Sequence, residues 1–117
     1  MIFKGNILLP IFNEEQSIVE LISEIELSIK ELDINFVVTL VDDGSEDKSW
    51  EIIKKMKSKD LSFRKIKLTR NFGHQAAIFA GLENFNEDFV IILDADFQDD
   101  PKYLIEFINV WKQGHKI

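Results

Sequence analysis

Asp94-Ala95-Asp96-Phe97-Gln98-Asp99-Asp100 crowds carboxylates into a few residues, directly after the apolar run Phe89-Val90-Ile91-Ile92-Leu93. Like charges this close repel, and partial burial makes each of them more costly. Two aspartates flanking one residue can aim both carboxylates at one hard divalent cation where a strand gives way to a turn. Mg²⁺ or Mn²⁺, completed by waters and substrate phosphates, suits such a pair. Solvated surface carboxylates produce the same Asp-x-Asp, and the position behind a buried strand is what favours the metal. A second acidic pair lies in Val41-Asp42-Asp43-Gly44-Ser45. Glycine there supports a turn, with Ser45 or Asp47 capping the next helix. The same carboxylates, at a strand end, can accept hydrogen bonds from a nucleobase or ribose. Asn13-Glu14 and Arg70-Asn71 are two further polar clusters. Arg70 could reach a phosphate. His74, entering a helix beside Gly73, reads as structural.

These clusters are positioned by strands and helices that alternate throughout. Strands are expected at Ile7 to Phe12, Asn35 to Val41, Phe63 to Leu68 and Phe89 to Leu93. The first helix carries Ile18, Leu21, Ile22, Ile25, Ile29 and Leu32 at helical spacing, with Glu14 and Glu15 in its first turn. A second runs from about Lys48 to Ser58, with Trp50, Ile53 and Met56 on one side. A third runs from His74 to Asn84, with small residues for close packing on a sheet. Asp100-Pro101 opens a fourth, which holds Trp111 in its apolar stripe. The fold class is α/β: a Rossmann-like open, mainly parallel sheet flanked by helices. Every polar cluster falls just past the C-terminal end of a strand, the edge along which open α/β sheets bind ligands.

A chain of 117 residues with 45% hydrophobic and 30% charged residues fits one ordinary globular domain. Absence of cysteine excludes disulfides and thiolate metal sites, and the two histidines are too few for a histidine-rich one, so any metal is held by oxygen. The net charge of -7 argues against nucleic acid as a partner. It conceals a basic stretch of Lys54, Lys55, Lys57, Lys59, Arg64, Lys65, Lys67 and Arg70. That stretch reads as a solvated face, or as a surface for anionic lipid headgroups or a phosphorylated partner. Apolar runs too short to span a bilayer, and the lack of signal-peptide features, lead to the expectation of a soluble cytoplasmic chain. Gln113-Gly114-His115-Lys116-Ile117 looks like a helix C-cap followed by the start of another strand, so residues 1–117 are expected to be the first part of a larger domain.

Pro10-Ile11-Phe12-Asn13-Glu14, Val41-Asp42-Asp43-Gly44-Ser45, Arg70-Asn71-Phe72-Gly73-His74-Gln75-Ala76-Ala77 and Asp94-Ala95-Asp96-Phe97-Gln98-Asp99 together resemble the family-2 glycosyltransferases, in the family's order and over nearly the whole chain. The resemblance implies the N-terminal, nucleotide-binding half of a GT-A fold that uses a UDP- or GDP-linked sugar. It implies that Pro10, Phe12, Asn13 and Glu14 line the nucleotide pocket, and that Asp42 and Asp43 hold base and ribose. Asp94 and Asp96, with Gln98, would hold Mg²⁺ or Mn²⁺ against the diphosphate, and Asp96 and Asp99 are the candidate catalytic carboxylates. The third motif looks most like enzymes that move a sugar onto a polyprenyl phosphate, which implies a parent protein at the cytoplasmic face of the membrane. Where the family pattern continues with two prolines, Asp100 precedes Pro101 here and can cap the helix that follows.

Two other readings compete. A receiver-type phosphoacceptor module shares the length and the parallel sheet, but it places its acidic pair after the first strand. Here that strand ends in Asn13-Glu14. A non-catalytic half-domain that binds nucleotide sugar, or that self-associates as a homo-oligomer through an exposed sheet edge, keeps the fold without the reaction.

Overall fold

The computed structural model describes residues 3–30, 32–95 and 106. Strand β1 (Phe3–Ile11) is followed by helix α1 (Ile18–Ile29), β2 (Ile34–Asp42), α2 (Ser49–Lys55), β3 (Ser62–Lys67), α3 (His74–Leu82) and β4 (Phe89–Ile92). All pairings are parallel and the strand order is β3-β2-β1-β4. β1 pairs with β2 from Phe3↔Ile34 to Ile11↔Asp42, and with β4 from Gly5↔Phe89 to Leu8↔Ile92. As an inner strand covered on both faces, β1 is buried continuously from Gly5 to Ile11, where a half-exposed strand would alternate.

The two faces carry different helices. Ile7, Leu9, Ile11, Val38 and Leu40 join Leu21, Ile22, Ile25 and Ile29 of α1 and Ile53 of α2 in one core. Each fully buried aliphatic side chain there contributes roughly 1.5–3 kcal/mol. Leu8 and Val41 point the other way, towards α3. A Cβ on Gly81 would lie 2.4 Å from Leu8 Cδ1 and 3.1 Å from Val41 Cγ2, so glycine lets α3 sit directly on the sheet. Right-handed crossovers account for the arrangement. The chain winds outward from β1 to β3 with α1 and α2 on one face, then crosses back to β4 with α3 on the other. Strand order therefore reverses between β1 and β4, and the crevice beyond their C-terminal ends is the switch point of the sheet.

All four expected strands and the first three helices are present, with shifted ends. β1 begins at Phe3 because it pairs with β2 from that residue and with β4 from Gly5, which the unpatterned Phe3-Lys4-Gly5-Asn6 does not announce. α1 stops at Ile29, and Leu32 closes the following turn on the Ile29 carbonyl. Glu14 and Glu15 precede the helix, and Glu20 is the acid in its first turn. α2 stops at Lys55 because Ser58 Oγ takes the Asp60 and Leu61 N–H groups in a turn, while Lys65 Nζ caps the Lys54 and Met56 carbonyls. The expected fourth helix and Trp111 lie outside the described residues.

A polar chain crosses the sheet beneath α3. Thr39 Oγ1 donates to Asn6 Oδ1 at 2.8 Å, and Asn6 Nδ2 donates to Glu87 Oε1 at 2.9 Å. Arg64 grips both oxygens of Glu87 at 3.2 and 3.0 Å. β1, β2 and β3 thus all hold the turn that starts β4. Arg64 keeps the Glu87 carboxyl below its ordinary range against the opposing effect of burial, and Glu87 in turn raises the Arg64 guanidinium. With its folded pKa depressed, Glu87 contributes stability that is fully present above its unfolded pKa and is lost as pH falls through the folded value. Glu87→Gln is therefore expected to cost about 1–2 kcal/mol near neutrality and to flatten the acid limb of stability, measured by urea unfolding at several pH values. A variant as acid-sensitive as the parent would contradict this.

Candidate nucleotide-binding site

The loops leaving β1 and β2 are knitted together at the C-terminal edge. Asn13, at φ 52°, is the non-glycine residue with positive φ among the described residues. Its Oδ1 accepts the Glu46 N–H at 2.8 Å and the Asp47 N–H at 3.4 Å, while its own N–H donates to Ser45 Oγ. The Glu14 N–H donates to Ser49 Oγ and the Glu15 N–H to Asp47 Oδ2. Asp47 Oδ1 takes the Ser49 N–H at the start of α2, so of the two expected caps Asp47 meets the helix. Burial works to raise the Asp47 carboxyl, but hydrogen bonds from Ser49 and Glu15 overcome it and hold the group below its ordinary range.

Asp43 joins the second loop to the third. It is 4% exposed, its N–H donates to the Ile11 carbonyl, and its carboxylate accepts the Phe72 N–H at 2.8 Å and the Gly73 N–H at 3.1 Å. These two backbone groups lead into α3. A cavity of about 300 Å³ opens between the loops, walled by Pro10 and Phe12 from the first, Asp43 from the second, and Asn71, Gly73 and His74 from the third. Phe12 keeps 41% of its surface exposed there.

Asp42 and Asp43 are neighbours on an extended chain, so their side chains leave on opposite faces. Asp43 reaches the cavity wall, whereas Asp42 is fully buried on the other side. One Asp42 oxygen takes the Ser45 N–H at 3.3 Å and the other, Oδ1, has no partner. Glu14 turns back on its own loop, its Oε2 accepting from Ser17 Oγ at 2.8 Å. Arg70 is exposed and stacks over Phe72 at 4.7 Å. Of the expected pocket residues, Pro10, Phe12 and Asp43 share the cavity wall, while Asn13, Glu14, Asp42 and Arg70 stand around it.

The acidic end of β4 reaches the same crevice. The Leu93 N–H donates to the Leu8 carbonyl, which continues the β1 pairing up to Asp94. Asp94 Oδ1 lies 3.7 Å from His74 Nε2, with side-chain exposures of 39% and 56%. His74 also lines the cavity wall. Its place in the third motif was the sequence signal, but nothing in the sequence placed it beside Asp94. Asp96, Gln98 and Asp99 lie outside the described residues. No group of three or more acidic or histidine side chains that could cage a metal occurs among the described residues. A Mg²⁺ or Mn²⁺ ion shared with substrate phosphates needs only one or two carboxylates. Asp94, an open oxygen donor at the switch point, fits that requirement.

Within the basic stretch several cations already have partners in the fold. Arg64 is consumed by Glu87 and Lys65 by the α2 carbonyls. Lys67 lies over Trp50 at 5.7 Å.

A parallel, doubly wound sheet with helices on both faces defines an α/β protein of the Rossmann-like type. The chain belongs to glycosyl transferase family 2, whose family model matches residues 6–117. It is 39% identical over 113 residues to an undecaprenyl-phosphate 4-deoxy-4-formamido-L-arabinose transferase of Pseudomonas syringae pv. syringae, covering 96% of this chain and 34% of that protein. It is 35% identical over 112 residues to the uncharacterized glycosyltransferase YkcC of Bacillus subtilis, covering 96% and 35%. The chain thus spans about a third of the length of these curated relatives. Its fold is that of S. aureus TarS 1-349, solved in complex with UDP-GlcNAc, with a TM-score of 0.74 at 24% identity over 94% of this chain and 31% of that one. No helix among the described residues is long and apolar enough to cross a membrane.

Proposed function

We propose that this chain is the donor-binding unit of a glycosyltransferase that moves a sugar from a nucleotide diphosphate to a polyprenyl phosphate. The observation that carries the reading is the cavity beyond the C-terminal ends of β1 and β2, walled by Phe12 and Asp43, with the open carboxylate of Asp94 beside its His74 wall. The relatives named as undecaprenyl-phosphate transferases support the acceptor class, and the UDP-GlcNAc bound to TarS supports the donor class.

In this reading Pro10 and Phe12 give the base an apolar wall, and Asp43 and the free oxygen of Asp42 accept hydrogen bonds from base or ribose. Reaching Asp42 requires the covering loop to yield, since that oxygen is enclosed. Arg70 and His74 supply positive charge or hydrogen-bond donors for the diphosphate. Asp94, with Asp96 and Gln98, would hold Mg²⁺ or Mn²⁺, and Asp96 and Asp99 are the candidate catalytic carboxylates. When bound, the ion supplies Lewis-acid stabilisation of the departing nucleotide diphosphate. An acceptor phosphate is already anionic and needs less help from a general base than a hydroxyl does. Lys67 and Arg70 are the basic residues of the 54–70 stretch at the ligand edge, and any contact with an anionic membrane beside the site involves them.

Calorimetric titration of UDP and of GDP, each with Mn²⁺ and with chelator, tests the proposal. One nucleotide should bind with a metal-dependent affinity, and that nucleotide identifies the base. Absence of binding by both would overturn donor binding by this chain.

A further inference from the structure

We propose that Asn13 is a positioning residue: its side chain locks the loops that wall the cavity and makes no contact with the ligand. The family motif invites the opposite assignment, because Asn13 follows Phe12 directly. In the structure Phe12 faces the cavity and Asn13 does not. The Asn13 carboxamide oxygen is occupied by the Glu46 and Asp47 N–H groups of the neighbouring loop. Its backbone adopts the left-handed conformation that asparagine tolerates better than most residues, which turns its N–H onto Ser45 Oγ. Ser45 is tied by its own N–H to Asp42 at the end of β2, and Asp43 carries the connection to Phe72 and Gly73. The cavity walls are therefore linked in series, and Asn13 is the first link. Loosening it separates Phe12 from Asp43 without removing either.

The chemistry of the amide supplies a clean test. Only Oδ1 can serve the clasp, because both of its partners are N–H donors, whereas a ligand-binding Asn13 would use the Nδ2 donors. Asn13→Asp keeps the acceptor and removes the donors. Asn13→Gly removes both and fits the positive φ without strain. Two readouts are needed: hydrogen exchange of the Glu46 and Asp47 amides in the free protein, and calorimetric UDP binding with Mn²⁺. Asn13→Gly is expected to speed exchange at both amides and to weaken UDP binding, each about tenfold, whereas Asn13→Asp stays within about threefold of the parent in both. The inference is overturned if Asn13→Gly leaves exchange unchanged. It is equally overturned if Asn13→Asp keeps the amides protected yet loses UDP as Asn13→Gly does, since Nδ2 would then be a ligand contact. The binding readout rests on the nucleotide reading given above, and the exchange readout does not. A parent protein that ignores UDP would therefore sink that reading while exchange still decides the role of Asn13.

Discussion

Gly44→Ala is expected to destabilise the protein by about 2–5 kcal/mol and to disrupt the nucleotide edge. Gly44 sits at φ +69°, where an L side chain costs roughly 1–2 kcal/mol. Its missing Cβ matters more. Built on this backbone, it would lie 2.3 Å from the Arg70 carbonyl carbon and 2.4 Å from the Asn71 nitrogen. Those are backbone atoms of the third loop and cannot rotate away as a side-chain tip can. Relief requires the second and third loops to separate, with an overpacking cost of about 1–3 kcal/mol on top of the torsional one. The Asp43 bridge to Phe72 and Gly73 spans the same gap and would be stretched with it. Urea unfolding of the parent and variant measures the loss, and a difference under about 1 kcal/mol would show that the loops do not meet as described.

Asp43→Asn is expected to cost about 3 kcal/mol and to weaken nucleotide binding by about a hundredfold or more. The carboxylate answers two backbone N–H groups at once from an almost fully buried position. Charge-assisted hydrogen bonds of this kind contribute roughly 1.5–3 kcal/mol each, and an orphaned buried donor adds a desolvation cost. An amide keeps one acceptor oxygen and turns an NH₂ towards a second N–H, so it satisfies one partner at most. The segment Phe72-Gly73 then loses the anchor that fixes the start of α3 and the His74 wall. Hydrogen exchange at Phe72 and Gly73 should accelerate together with the loss of UDP affinity. A variant that keeps both would remove Asp43 from the account.

Much of the fold was legible because buried parallel strands write themselves as apolar, β-branched runs. Val37 to Val41 and Phe89 to Leu93 needed no structure to be recognised, and their polar followers marked the ligand edge. Strand ends were less legible, because pairing with β2 recruits residues such as Phe3 and Lys4 that carry no strand pattern. The site was legible as a set of loops but not as a set of directions. Asp42 and Asp43 read as one acidic pair, yet the pleat sends them to opposite faces. Arg64 read as part of a basic stretch and Glu87, 23 positions further on, drew no reading at all, and only the crossover through α3 brings them together. The same crossover sets His74 beside Asp94. The basic stretch looked continuous because sequence does not show that Arg64 is taken up by Glu87 and Lys65 by the Lys54 and Met56 carbonyls. Asn13 lay inside a recognised motif, but its left-handed backbone and its two N–H partners depend on a loop more than thirty residues further along the chain.

Nucleotide and metal are proposed to meet beyond the C-terminal ends of β1, β2 and β4, between the cavity and Asp94. The most direct measurement is paramagnetic broadening of backbone amide resonances by Mn²⁺ added with UDP, compared with Mn²⁺ alone and with the Asp94→Asn variant. UDP-dependent broadening is expected to centre on Asp94, Gly73 and His74, to spare Gly5 and Asn35 at the N-terminal edge of the sheet, and to be lost in the variant. Broadening centred elsewhere, or unchanged by Asp94→Asn, would contradict it.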